Sequence, residues 1–258
     1  MENIQILEKF EVDWELLDSE NQTPIFLAVL GQNLDALKFL VNNKRQPLNH
    51  EFTDHQNRSP FFLACYIGNL DIVKYLYSLG VDVNRQSGLG RSALLKACYL
   101  GNVEVTKFLV NLPEIDIELP DQKQRTALHN SVFISQMQIK KQALPVRGIP
   151  KQKEIEKGLP DKEFYTYWKQ KTLQEEYTGV KIRDSPQCSK LLLEKGHRTE
   201  IQDQEGNTPI FSACSSGAMD SLQILLQYKA NVNHVNFQKQ TPVYLAAYYG
   251  RLSMVYKV

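Results

Sequence analysis

The segment NRSPFFLACYIGNLDIVKYLYSLGVDVN, residues 57–84, returns in altered form as GRSALLKACYLGNVEVTKFLVNLPEIDI at 90–117. A period of this length means that the chain is built from stacked copies of one small unit, and it has to be sought before any local reading. The hydroxyl residue that opens each copy recurs at Thr23, Ser59, Ser92, Thr126, Thr208 and Thr241. The steps are 36, 33, 34, 82 and 33 residues, so one step alone is long, by about 49 residues.

Each copy reads as one physical object. A polar turn ends in Thr or Ser, and Thr23, Ser59, Thr208 and Thr241 are followed by Pro. A hydroxyl at that place can accept from free N–H groups of a helix start, and Pro fits the first helical position. A short helix of small and apolar residues follows, closed by Gly68, Gly101, Gly217 or Gly250, since Gly reaches φ > 0 without cost. A second helix carries Leu70, Val73 and Leu76, or Leu222, Leu225 and Leu226, at helical spacing. A pair of helices this short cannot bury its own apolar faces, so neighbouring pairs must stack into a solenoid.

These units resemble the ankyrin repeat. DQEGNTPIFSACSSG with LLQYKANVN follows the family pattern best, and the resemblance covers about residues 18–133 and 188–258. It implies an all-α solenoid of paired antiparallel helices with projecting turns and a concave face. The units fall near 18–53, 54–86, 87–120, 121–202, 203–235 and 236–258. Residues 1–17 read as a degenerate half repeat or cap, with seven acids against Lys9 over the first 20 positions. The long step reads as an insertion at 135–187 between the helices of unit four, and SKLLLEKGHRTEIQ (189–202) then supplies the missing second helix. The insertion is basic and Pro/Gly-punctuated in its first part; DKEFYTYWKQKTLQEEY (161–177) reads as a helix with Phe164, Trp168 and Leu173 on one side. The sequence stops at Val258, partway into the sixth second helix, which reads as a piece of a longer protein.

Several chemical motifs dissolve in this register. Cys65, Cys98 and Cys214 share one slot with Val29 and Ala247, which marks a small core position rather than a redox or metal site; Cys188 lies outside the slot and stays open. GLGRSA (88–93) mimics a dinucleotide fingerprint, but Gly90 occupies the turn slot of the repeat. Of the five histidines, His129 alone stands in the family slot that Phe26, Phe62, Leu95, Phe211 and Tyr244 fill elsewhere, and its expected role is a hydrogen bond to the Thr126 region. Asn84 and Asn233 stand where members of the family resemble substrates of an asparaginyl hydroxylase; a turn-capping role is preferred for both. No enzyme, cofactor or metal is expected, and no small-molecule substrate.

Function must then lie in a surface. The resemblance places two slots on the concave side. One holds Gln22, Arg58, Arg91, Arg125, Asn207 and Gln240; the other holds Leu30, Tyr66, Tyr99, Phe133, Ser215 and Tyr248. Arg and aromatic side chains are what interface hot spots favour, so Arg58, Arg91, Arg125, Tyr66, Tyr99, Phe133 and Tyr248, with Trp168 of the insertion, are the candidate contacts. The expected partner is an acidic, apolar segment of another protein. A net charge of +1 argues against nucleic acid, despite eleven Lys/Arg against seven Asp/Glu at 135–186. No apolar run is long enough to span a bilayer and no signal peptide is legible, so the expected compartment is the cytoplasm, with the nucleus open. The alternative expectation is the cytosolic regulatory domain of a larger protein such as a channel or kinase.

Overall fold

The computed structural model describes residues 16–42, 51–133 and 186–256. Calls that fall on 1–15, 43–50, 134–185 and 257–258, including the cap, Trp168 and nearly all of the insertion, lie outside the described residues. The described chain forms helix pairs: α1 (Pro24–Leu30) and α2 (Leu34–Val41), α3 (Pro60–Ile67) and α4 (Leu70–Tyr77), α5 (Ala93–Leu100) and α6 (Val103–Leu109), α7 (Ala127–Phe133) and α8 (Pro186–Glu194), α9 (Pro209–Ser216) and α10 (Met219–Gln227), α11 (Pro242–Tyr248) and α12 (Leu252–Val255). No strand occurs among the described residues.

The first helices α1, α3, α5, α7, α9 and α11 pack side by side in chain order. Behind them, α4, α6, α8 and α10 make a second row. The seam between the rows is buried. Phe26, Phe62, Leu95, His129 and Phe211 occupy one buried slot of the first helices, and Leu37, Leu76, Leu109, Leu192 and Leu225 are buried in the second. Each of the apolar side chains among them contributes roughly 1.5–3 kcal/mol when taken from water, and most of that gain exists only because a neighbouring pair covers it.

The hydroxyl caps divide into two sets. Ser59 Oγ accepts from Phe62 N at 3.2 Å, Ser92 Oγ from Leu95 N at 3.2 Å and Thr241 Oγ1 from Tyr244 N at 3.3 Å. Thr23 and Thr208 sit at the same position, but their hydroxyls are buried without a partner. There Pro at the first position, with φ preset, carries the helix start. Two of the second helices take Asn caps: Asn33 Oδ1 accepts from Ala36 N at 2.9 Å before α2 and Asn69 Oδ1 from Ile72 N at 3.2 Å before α4.

Between pairs, close packing needs glycine where backbone meets neighbour. Gly68 closes α3 at φ 89°, and a Cβ there would lie 2.9 Å from Asn102. Asn102 uses that gap to reach the carbonyls of Cys65 at 2.9 Å and Tyr66 at 3.1 Å, tying α6 to the preceding pair. In the first pair the left-handed residue after the helix is Gln32, at φ 53°. A non-glycine residue is strained there, so Gln32→Gly is expected to raise stability by about 0.5–1 kcal/mol, the relief exceeding the added chain entropy. Urea unfolding of the two proteins measures this.

Unit four holds the departure from the expected boundary. The second helix starts at Pro186 rather than after Gln187, because Pro opens a helix well and puts Cys188 and Leu192, one turn apart, into the core. The stack is continuous through this pair. Backbone N–H groups of successive turns donate backward along the solenoid: His55 to Glu20 O, Gly88 to Gln56 O, Gln122 to Leu89 O, Gln204 to Lys123 O and Phe237 to Glu205 O. The step from Lys123 to Gln204 keeps the geometry of its neighbours although it spans the long sequence gap.

Candidate partner-binding face

The face is made of the turn tips and the first helices that follow them. Each turn is built on one side chain. Asp18, Asp54, Asp121 and Asp203 each use Oδ1 to accept from the backbone N–H groups two and four residues on, at 2.8–3.0 Å. Asn236 accepts from Gln240 N at 2.8 Å, and Ser87 Oγ from Arg91 N at 3.3 Å. The same point of every tip is left-handed: Asn21, Asn57, Gly90, Gln124, Gly206 and Lys239. At Gly90 a Cβ would meet the backbone, Gln122 N, at 2.8 Å. The fingerprint-like GLGRSA therefore serves the turn.

This construction changes the meaning of two expected contacts. Arg58 pairs with Asp54 at 2.6 Å and Arg125 with Asp121 at 2.7 Å, both carboxylates being buried. Their guanidinium groups complete the turn, so they present stems and edges rather than whole cations. Arg91 follows a serine turn and is half-buried. Tyr66 is half-buried, whereas Tyr99 is only 6% exposed. Lys96 explains both positions: its Nζ lies 5.9 Å from the Tyr66 ring centroid and 5.3 Å from that of Tyr99. Tyr248 is 72% exposed. The backbone of Phe133 ends α7, and its side chain lies outside the described residues, as does Trp168.

His129 is buried. The Thr126 N–H donates to its Nδ1 at 3.2 Å, the Thr126 hydroxyl lies 3.0 Å from the same atom, and Nε2 donates to Asn207 O at 3.1 Å. Burial holds its pKa down, to about 4. Asn84 spans neighbouring loops, giving Nδ2 to Glu114 O at 2.7 Å and accepting from Asp116 N at 2.9 Å. All four cysteines are buried free thiols; burial pushes the Cys214 thiol up to about 12. Cys188 finds its place beside Cys98, the two sulfurs lying 3.6 and 3.7 Å from Thr106 Oγ1. Among the described residues no three His, Cys, Asp or Glu side chains converge as a metal site requires.

The sequence reading missed one tie. Glu118 and Arg198, 80 positions apart, form a fork of hydrogen bonds at 2.7–3.1 Å. The Arg198 hydrogen bonds hold the Glu118 carboxyl below its ordinary range. Pairs this far apart in sequence leave no local signal; only the register of the repeat could have aligned them.

The profile of ankyrin repeats (3 copies) matches residues 2–87 and 180–257, more than half of the chain. The chain belongs to the ankyrin-repeat family. This ankyrin protein is similar to NF-kappa-B inhibitor alpha of Sus scrofa, 31% identical over 80 residues, which are 29% of this chain and 26% of that protein. It is also similar to the DNA replication inhibitor plutonium of Drosophila melanogaster, 36% identical over 61 residues, or 24% of this chain and 35% of that protein. The aligned part thus spans about a quarter to a third of either relative. Ankyrin repeats as a class mediate protein–protein interaction and are generally non-catalytic. Among the described residues no helix is long and apolar enough to cross a membrane.

Proposed function

We propose that this ankyrin protein is a non-catalytic scaffold that binds a segment of a partner protein along its turn tips and first helices, with residues 135–187 adding specificity. The supporting observation is a contrast between slots. Core slots are filled mostly by large apolar side chains, with His129 the exception, whereas the face varies: Gln22, Arg58, Arg91, Arg125, Asn207 and Gln240 at one slot, Leu30, Tyr66, Tyr99, Ser215 and Tyr248 at the other. Where these residues do not serve the turn or the packing of the stack, as Arg58, Arg125 and Tyr99 do, their variety leaves room for recognition. Around units two to four the face carries Arg91, Lys96, Lys123 and the edges of Arg58 and Arg125 beside Tyr66. An acidic, apolar segment fits that chemistry, and the cytoplasm is the compartment in which such a scaffold would act.

Arg91 is the informative position, because Arg58 and Arg125 also hold their turns together. Arg91→Glu is expected to reduce capture of the partner, chiefly through a slower and less salt-dependent association, as reversal of a charge at an interface rim does; the unfolding midpoint of the variant is measured alongside to separate lost binding from lost stability. Affinity capture followed by mass spectrometry compares wild type, Arg91→Glu and a chain lacking 135–186. A partner set unmoved by Arg91→Glu would sink the proposed face; one unmoved by the deletion would remove the role given to the insertion.

A further inference from the structure

Each second helix sets two further side chains into the seam, one turn before the core leucine at Leu40, Leu76, Leu109, Leu192 or Leu225. They are Ala36 and Leu37 in α2, Ile72 and Val73 in α4, Val105 and Thr106 in α6, Cys188 and Ser189 in α8, and Ser221 and Leu222 in α10, all buried. In α2, α4, α6 and α10 at least one of the two is Leu, Ile or Val. In α8 neither is. The first turn of that helix, where the chain returns from residues 134–185, therefore enters the core with a thiol and a hydroxyl and without a branched apolar side chain.

The neighbours answer in kind. α8 packs against α6, α7 and α10. Cys188 Sγ lies 3.6 Å from Thr106 Oγ1 of α6, a weak bond for a thiol. Ser131 of α7 directs its hydroxyl to Leu128 O at 2.9 Å, so Ser189 donates in its 2.9 Å contact with Ser131 Oγ. Water can replace such bonds when the turn leaves the seam, so each contributes little to keeping it there. The first turn also holds few backbone bonds, because its leading N–H groups have no intrahelical acceptor and Pro186 has no N–H. One turn later the balance changes: Leu192 and Leu193 are both buried, and moving them exposes apolar surface.

We propose that the first turn of α8, Pro186 to Ser189, is a detachable joint that opens and recloses while Leu192 and Leu193 stay seated. Opening turns Cys188 out of the core and lengthens the connection between α7 and α8 by one turn, without unstacking the pair. Free energies of opening differ from place to place in a fold, and this turn lies at the low end for the core of the stack. The joint belongs to the stack itself, and it stands whether or not residues 135–187 contribute to partner binding.

The test labels the full chain with N-ethylmaleimide under native conditions and reads each cysteine by mass spectrometry of its peptide. Rates are divided by those of the same cysteine in concentrated urea, which removes differences in intrinsic reactivity. Cys188 is expected to label at least about tenfold faster than Cys65 of the second pair and Cys214 of the fifth. Its rate should hardly change in dilute urea, since a local opening exposes little surface, whereas theirs should rise steeply. Ser189→Val gives α8 the residue that α4 has in this place, Val73, and is expected to slow Cys188 by about tenfold. Ser131→Ala strands the Ser189 hydroxyl in the core and is expected to speed Cys188 by about fivefold; it carries the test if valine does not fit. The proposal is overturned if Cys188 is as protected as Cys65 and Cys214, if its rate climbs with urea as theirs does, or if neither variant moves it.

Discussion

Replacing Asp121 by Ala is expected to lower the unfolding free energy by about 3–5 kcal/mol, the range found when one partner of a buried ion pair is removed. The carboxylate is 3% exposed. It serves three groups together: the N–H of Lys123 at 2.8 Å, the N–H of Arg125 at 3.0 Å, and the Arg125 guanidinium at 2.7 Å. Alanine strands all three. The damage does not stay in one turn, because Gln122 N reaches back to Leu89 O and Lys123 O receives Gln204 N. Nearest-neighbour coupling then lowers the stability of the pairs on both sides. Asp121→Asn should cost far less, about 1–2 kcal/mol, since one amide oxygen keeps the backbone bonds; Asn236 does this in the last turn. In a double-mutant cycle, Arg125→Ala should cost less in the Asp121→Ala background than in wild type. Urea unfolding of the four proteins measures the cycle, and additive losses would mean that the pair contributes nothing to the turn.

Asp121 also shows where sequence reading succeeds and where it stops. The repeat placed Arg58, Arg91 and Arg125 in one slot and treated them alike. They differ by the residue four positions earlier: Asp54 and Asp121 for two of them, Ser87 for the third. That signal was present in the sequence, and it marks the two arginines that pair with a buried turn carboxylate. The tyrosines are harder. Tyr99 and Tyr248 are equivalent in register, yet 6% and 72% exposed. The difference rests on what covers each ring, and only three-dimensional stacking decides that. Core slots were legible because hydrophobic burial is periodic and non-directional. The Glu118–Arg198 fork was not, because hydrogen bonds between distant turns follow no period.

Acid should weaken the fold through His129. Its Nδ1 takes hydrogen bonds from the Thr126 N–H and hydroxyl, so it must be bare, and Nε2 carries the proton given to Asn207 O. Protonation would put a hydrogen where two donors already point, inside a buried slot. This is the physical content of a pKa lowered from 6.5 to about 4. The unfolded chain then binds the proton first. Stability is full above about pH 6.5, falls as pH drops through the window between about 6.5 and 4, and levels below it, a loss of about 3 kcal/mol in all. His197, buried with Nε2 unpartnered and its pKa lowered mainly by desolvation, adds to the loss in the same direction. His129→Phe places in α7 the residue that Phe26, Phe62 and Phe211 provide in other pairs. It should leave neutral stability within about 1.5 kcal/mol, the usual span for a swap that keeps volume, and remove about one proton from the slope of unfolding free energy against pH. Denaturation curves at a series of pH values give that slope directly. An unchanged slope in His129→Phe would place the acid sensitivity elsewhere, and the further variant His197→Phe would show whether the second buried imidazole carries it.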